Sequence, residues 1–101
     1  MKSRIFVAAV LLMTSTAPVW AVDVQQVYAK KCELCHSING EGGKKKDFGG
    51  PLDGIGSKRD EAWLRAYIAD PKSKIDGAKM PKMKLTEEEM DAIVKFLLSL
   101  K

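Results

Sequence analysis

The chain is short and only moderately basic. Its 101 residues include 17 Lys and Arg against 13 Asp and Glu, with two cysteines and a single histidine. A chain of this length forms one domain with a thin core, which usually needs a metal, a disulfide or a cofactor to stabilise it. Its basic residues are not interleaved with aromatic ones, so we expect no nucleic-acid partner.

The first 21 residues have the pattern of a secretory signal peptide. A positive start, Met1 to Arg4, precedes an apolar run from Ile5 to Met13, and Ala21 offers a small residue to signal peptidase. This run is too short to span a bilayer, which takes about 20 residues. We predict a cleaved signal peptide at 1–21 and one mature domain at 22–101; an uncleaved N-terminal anchor is the alternative.

The first helix is predicted from about Val24 to Ser37, and it carries the most informative motif of the chain. Residues 32–36 read Cys-Glu-Leu-Cys-His, a CxxCH run typical of covalent haem attachment. Two cysteines three positions apart on a helix project from nearly the same face, with Cβ atoms roughly 5–6 Å apart. Such a pair suits two thioether bonds to one edge of a haem. The motif predicts one covalent haem c on Cys32 and Cys35, with His36 as an axial ligand of the iron.

The cysteine pair has other interpretations. A thioredoxin-like pair needs a βαβ setting that this sequence lacks, and zinc needs a fourth N or S ligand. A disulfide within the CxxC run, and a thiol oxidoreductase that uses Cys32 and Cys35 without haem, are kept as the less favoured alternatives.

The middle of the chain is predicted to be a loop followed by a short helix. Seven glycines between Asn39 and Gly56 interrupt any regular period and indicate a loop that wraps around another group. A helix of about ten residues should then begin after the N-cap residue Asp60 and end before Pro71. Trp63 and Tyr67 on this helix are predicted to fill the core rather than to bond a haem carboxylate.

The last helix is predicted from its N-terminal cap and its apolar stripe. Thr86 and Glu89 form a capping box, and acidic residues occupy the first turn. The stripe that should pack across the first helix consists of Met90, Ile93, Val94, Leu97 and Leu100. No strand pattern is visible, so the predicted fold class is all-α.

The loop from Pro71 to Leu85 should supply the second axial ligand. Because the chain has one histidine, a six-coordinate iron must recruit methionine, lysine or an external ligand. Met80 precedes Pro81, which favours an extended backbone, and its apolar side chain needs a hydrophobic destination. Met80 is therefore the favoured distal ligand and Met83 the alternative, whereas Met90 is assigned to the core.

These features together resemble the small bacterial class I c-type cytochromes. The resemblance covers the predicted mature chain and implies a three-helix fold around one haem, His–Met ligation by His36 and Met80, and one-electron transfer. It rests on CxxCH after a leader, Gly50-Pro51-Leu52, Lys79-Met80-Pro81 and Leu85-Thr86-Glu87-Glu88-Glu89.

The resemblance also assigns a role to Pro51, whose backbone carbonyl would accept a hydrogen bond from the His36 ring. A metal-bound imidazole normally donates its other N–H to such an acceptor. Gly49 and Gly50 would permit a close backbone approach. The segment from Glu41 to Phe48 departs from the minimal pattern of the family.

The predicted function is that of a monomeric electron carrier in the periplasm, not an enzyme. Its partners would be redox proteins, and it would meet a membrane only through partner complexes. Acidic docking patches on these partners could face Lys44, Lys45, Lys46, Lys79, Lys82 and Lys84, unless these lysines are simply solvated. The alternative function is a haem enzyme or gas-binding sensor whose distal ligand is labile.

Overall fold

The computed structural model describes residues 22–101; the predicted signal peptide at 1–21 lies outside the described residues. Within 22–101, no helix is long and apolar enough to cross a membrane. The described chain forms four α-helices, two short strands and two 3₁₀ turns, at Lys46–Phe48 and Pro71–Ser73. The helices are α1 (Val24–Lys31), α2 (Ile55–Lys58), α3 (Glu61–Ala69) and α4 (Glu87–Leu98), and the strands are β1 (Ser37–Ile38) and β2 (Glu41–Gly42).

Helix α1 is shorter than predicted. It ends at Lys31 because Cys32 leaves helical geometry, with φ −122°, and the Glu33 N–H turns back to the Tyr28 carbonyl at 3.0 Å. Leu34, whose spacing suggested a longer helix, is 53% exposed. The prediction that the helix continues to Ser37 is therefore wrong. The helical spacing of apolar residues continues to Leu34, but the last buried residue of α1 is Tyr28.

A small antiparallel hairpin follows the CxxCH motif, where no strand was predicted. Strands β1 and β2 pair across a tight turn in which Asn39 and Gly40 have φ of 52° and 80°. Asn-Gly favours such left-handed turns. Two residues per strand are too few for an alternating pattern, so the hairpin escaped the sequence analysis. The predicted all-α class still holds, because these are the only strands in the described residues.

Helices α3 and α4 begin where their caps predict. The Asp60 carboxylate accepts the Trp63 N–H at 2.8 Å, and α3 ends at Ala69. At the start of α4, Thr86 and Glu89 exchange the two bonds of a capping box, at 2.9 and 3.1 Å. Each cap satisfies amide groups that the first turn of a helix leaves without partners.

Helix α4 packs against α1, α2 and α3. Its Ile93 and Val94 are each 1% exposed and form the centre of the core. The Phe96 ring meets the Tyr28 ring of α1 with centroids 5.6 Å apart, as expected for a tilted aromatic pair. The other buried apolar residues are Val27, Leu64, Ile68 and Leu97, while Met90 and Leu100 of the predicted stripe are half-buried.

Arg65 of α3 contacts three carboxylates, two of which, those of Asp91 and Glu87, lie on α4. Its guanidinium donates to Asp91 and to Glu61, the latter at 3.2 Å, and lies 3.8 Å from Glu87. The hydrogen bonds to Asp91 and Glu61 raise the pKa of Arg65 further above its usual range. Exposed ion pairs contribute little stability individually, so the cluster mainly aligns the two helices.

Helices α2 and α4 cross closely at Gly56. The Gly56 N–H donates to the Leu100 carbonyl at 2.8 Å. A Cβ atom at this position would overlap the Leu98 carbonyl and lie 3.0 Å from the Leu97 carbonyl oxygen. A glycine is therefore required for space where α2 meets the last turn of α4.

Candidate cofactor site

An apolar cavity of about 290 Å³ lies between α2, α3, α4 and the loops that follow α1 and α3. No acidic side chain of the described chain lines it, whereas three basic ones do: Lys31, Lys58 and Arg59. Its apolar wall is formed by Leu52, Ile55, Leu64, Ile68, Ile75, Leu85, Ile93 and Leu97. Such a site suits a largely apolar group that carries anionic substituents.

The CxxCH motif forms a tight turn beside this cavity. The His36 N–H bonds to the Cys32 carbonyl at 3.0 Å, and the Cys35 N–H bonds to the same oxygen at 3.2 Å. Both cysteines are half-buried free thiols. Cys32 lines the cavity, whereas Cys35 is not among the lining residues. The turn brings the first thiol and the imidazole to the cavity wall together.

The environment of the Cys32 thiol disfavours its thiolate form. Burial, with a smaller contribution from Cys35, raises the pKa of the Cys32 thiol to about 11. A redox-active cysteine of a CxxC motif has the opposite property, because its thiol pKa is lowered so that the thiolate can attack. Cys32 is therefore a protonated thiol at neutral pH in this fold.

The His36 side chain is held by the loop that follows the hairpin. Its Nδ1 lies 2.9 Å from the Gly50 carbonyl oxygen, so Nδ1 donates there and Nε2 is left free. On the other side, the Tyr28 hydroxyl donates to the His36 carbonyl at 3.4 Å. Burial raises the pKa of Tyr28, so this hydroxyl keeps its proton.

The prediction that Pro51 supplies the acceptor is wrong by one residue. The carbonyl that faces the His36 ring belongs to Gly50. Pro51 instead forms a bridge with Ser37, next to a bond of 2.9 Å from the Leu52 N–H to the Ser37 carbonyl. The bond from the Leu52 N–H holds this segment beside Ser37, and in that position the Gly50 carbonyl, not that of Pro51, faces the imidazole.

Met80 and Met83 both line the cavity and are both half-buried. Their backbones are held differently. The Met83 N–H donates to the Ile68 carbonyl at 3.2 Å, at the C-terminal end of α3. Among the described residues, no backbone hydrogen bond involves residues 79–82. The structure thus brings both candidate ligands to the site. The backbone of Met83 is hydrogen-bonded to α3, whereas Met80 lies on a segment without backbone hydrogen bonds.

Two aromatic residues of α3 form one side of the cavity. Trp63 and Tyr67 line it and stack on each other, with centroids 4.8 Å apart and an angle of 10°. The Arg59 guanidinium lies 4.0 Å from the Trp63 ring centroid. The sequence analysis missed the two basic residues before the Asp60 cap, Lys58 and Arg59, although a basic pair next to a predicted helix was visible in the sequence.

The residues at this site fit a covalently bound haem. The cavity is apolar, and its wall carries the Cys32 thiol, the His36 imidazole and the thioethers of Met80 and Met83. These groups make up the donor set of a c-type haem site. No curated protein and no solved structure matches the chain. The sequence model of the cytochrome c family matches residues 21–101. The chain therefore belongs to the cytochrome c family, with the helical fold of a small class I member and one covalent haem c as its cofactor.

Proposed function

We propose that this cytochrome c is a periplasmic electron carrier whose haem is held by Cys32 and Cys35, with the iron between His36 and Met80. Membership of the family supports electron transfer in general. The observation that carries the finer proposal is that Cys32, His36 and Met80 line one apolar cavity. The location rests on the signal-peptide pattern of the sequence.

Each residue has a distinct task in this proposal. Cys32 and Cys35 would fix the haem through thioether bonds. His36 would ligate the iron through Nε2, because its Nδ1 is engaged by the Gly50 carbonyl. The basic residues on the cavity wall, Lys58 and Arg59 among them, would face the haem carboxylates.

The bound haem supplies an iron whose oxidation state changes reversibly by one electron. Two protein ligands would leave no open position for a substrate, which favours a carrier over an enzyme. Methionine ligation and an apolar cavity both favour the reduced state and so raise the reduction potential. The raised pKa of Cys32 argues against the alternative of a thiol oxidoreductase.

One observation favours a second candidate, a gas-binding sensor or haem enzyme. Because no backbone hydrogen bond of the described chain holds residues 79–82, the Met80 side chain could leave the iron without breaking a backbone hydrogen bond of this segment. An iron with a labile distal ligand binds carbon monoxide or nitric oxide.

We further propose that a lysine groove beside Met80 docks acidic redox partners. A groove of about 420 Å³ is lined by exposed Lys72, Lys79 and Lys82 together with Phe48, whose side chain is 50% exposed. The Lys79 Nζ lies 5.9 Å from the Phe48 ring centroid. Asp70 also lines the groove, and the three lysines leave the groove with a net positive charge. A net cationic and partly apolar surface next to the electron-exchanging group fits a transient partner. The monomeric state stays a prediction.

The attachment of the haem is tested with protein produced together with the c-haem maturation machinery. Acid-acetone extraction should leave the colour on the denatured wild-type chain, because thioether bonds are covalent. The doubly substituted Cys32→Ser, Cys35→Ser chain should release all of its haem. Haem that leaves the wild type intact would contradict the proposal, and a visible spectrum of the same sample distinguishes low-spin His–Met iron from an open site.

The docking surface is tested with two small redox reagents of opposite charge. Oxidation of the reduced protein by anionic ferricyanide should slow about tenfold at low salt when Lys72, Lys79 and Lys82 are changed to Gln. Reduction of the oxidised protein by cationic hexaammineruthenium(II) should not slow. The control is Lys95→Gln, an exposed lysine of α4 outside the groove and the cavity. Equal effects of the triple variant on both reagents would contradict an electrostatic role.

A further inference from the structure

We infer that Gly49 is a positioning residue: the absence of its side chain sets the orientation of the His36 ring, and thereby the strength of the bond from Nδ1 to Gly50. This inference rests on the proposed role of His36 as an iron ligand. It concerns a residue next to the acceptor, not the acceptor itself.

The backbone of Gly49 does not require glycine. With φ −160° and ψ 165° it is extended, a conformation open to any residue. The space around it does require glycine. A Cβ atom at this position would lie 2.6 Å from the Cys35 carbonyl oxygen, 2.9 Å from His36 Cε1 and 3.0 Å from His36 Nδ1. The Gly49 main chain is therefore packed directly against the edge of the imidazole that carries Nδ1.

The next residue provides a sharp contrast. A Cβ atom on Gly50 would meet nothing within 4 Å, although its carbonyl is the acceptor for Nδ1. The two glycines thus have separate tasks, since Gly49 leaves room for the ring and Gly50 supplies the acceptor through its main chain.

The segment that contains these glycines cannot easily move away from the ring. The Gly49 N–H closes a 3₁₀ turn on the Lys46 carbonyl at 3.3 Å. Two residues later, Pro51 bridges to Ser37, and the Leu52 N–H holds the Ser37 carbonyl at 2.9 Å. A methyl group on residue 49 would accordingly press on both the Cys35 carbonyl and the imidazole, and the side chain of His36 would be displaced together with the turn that carries it.

The expected consequence is a change in the iron. Donation from Nδ1 to a carbonyl makes the imidazole more basic, which favours Fe(III) and lowers the reduction potential. A displaced ring weakens this bond, so the reduction potential of Gly49→Ala should rise. The control is Ser57→Ala, at a neutral and exposed position of α2 that does not line the cavity, so its potential should match that of the wild type.

The experiment measures both variants as holoproteins. We expect a raised potential and a changed ring-nitrogen chemical shift of His36 in Gly49→Ala, with neither change in Ser57→Ala. An unchanged or lowered potential in Gly49→Ala, or equal shifts in both variants, would overturn the inference. A general loss of stability would not by itself change the His36 nitrogen shift of the folded holoprotein.

Because Gly49→Ala could fail to mature, a second measurement uses the reduced wild-type protein. We expect a nuclear Overhauser effect between a Gly49 α proton and the proton on His36 Cε1, and its absence would refute the inference. The same spectrum tests the proposed function independently. His36 ring protons without the large upfield shift that haem imposes on a ligand would show that His36 is not bound to iron, whatever the role of Gly49.

Discussion

Replacing His36 by alanine is expected to reduce the yield of holoprotein by at least about tenfold. Loss of a residue that only hydrogen-bonds to a metal ligand already lowers metal affinity by about 10- to 100-fold, and loss of the ligand itself should cost at least as much. His36 is the only histidine of the chain, so no other imidazole can take its place. Its removal also deletes the Nδ1 bond to Gly50, which joins the CxxCH turn to the glycine loop. The measurement is haem absorbance per mole of purified chain.

The matched control for this experiment is Ser37→Ala. Ser37 is the next residue, is half-buried like His36, and uses only its backbone in the bridge to Pro51. Its replacement should leave the yield close to that of the wild type. A normal yield and an unchanged spectrum in His36→Ala would show that the iron is ligated elsewhere.

Replacing Met80 by alanine should have the second large effect. The thioether-to-Fe(III) charge-transfer band should disappear, and the reduced protein should bind carbon monoxide at the vacated position. The reduction potential should fall by on the order of 0.1 V or more, because axial ligands set this potential over a range of about 0.8 V and thioether sulfur favours Fe(II). Absorbance spectra and redox titration measure all three.

Met83→Ala provides the comparison within the same cavity. The Met83 backbone is anchored by the bond to Ile68, so the Met83 side chain should line the cavity without binding the iron. Loss of this side chain should alter the spectrum only slightly. If the two variants exchange their results, Met83 is the distal ligand. If the wild type already binds carbon monoxide readily, the second candidate function, a sensor or enzyme, takes precedence.

The parts of the fold that the sequence predicted correctly are those with local causes. The capping box of α4 and the Asp60 cap of α3 each depend on residues within one helical turn, so a short stretch of sequence determines them. The CxxCH motif similarly carries its chemistry in five adjacent residues.

The errors arose where distant parts of the chain meet. The end of α1 depends on how the CxxCH turn meets the cavity, and Leu34 fitted the helical period while lying exposed. The choice of Gly50 over Pro51 depends on where the bond from the Leu52 N–H to the Ser37 carbonyl places this loop beside the CxxCH turn. The basic residue Arg59 gains its place at the cavity only through the packing of α3.

The crossing at Gly56 has a mechanical consequence for the whole domain. Since α2 touches the carbonyls of Leu97 and Leu98 and bonds to that of Leu100, α4 cannot slide along its own axis. Its inner residues, including Ile93, therefore stay in register with α1 and α3 regardless of the loop that precedes it. The segment from residue 74 to residue 85 carries Met80 and Met83, and a change of ligand or partner specificity there would leave the opposite wall of the cavity, formed in part by Ile93 and Leu97 of α4, in place.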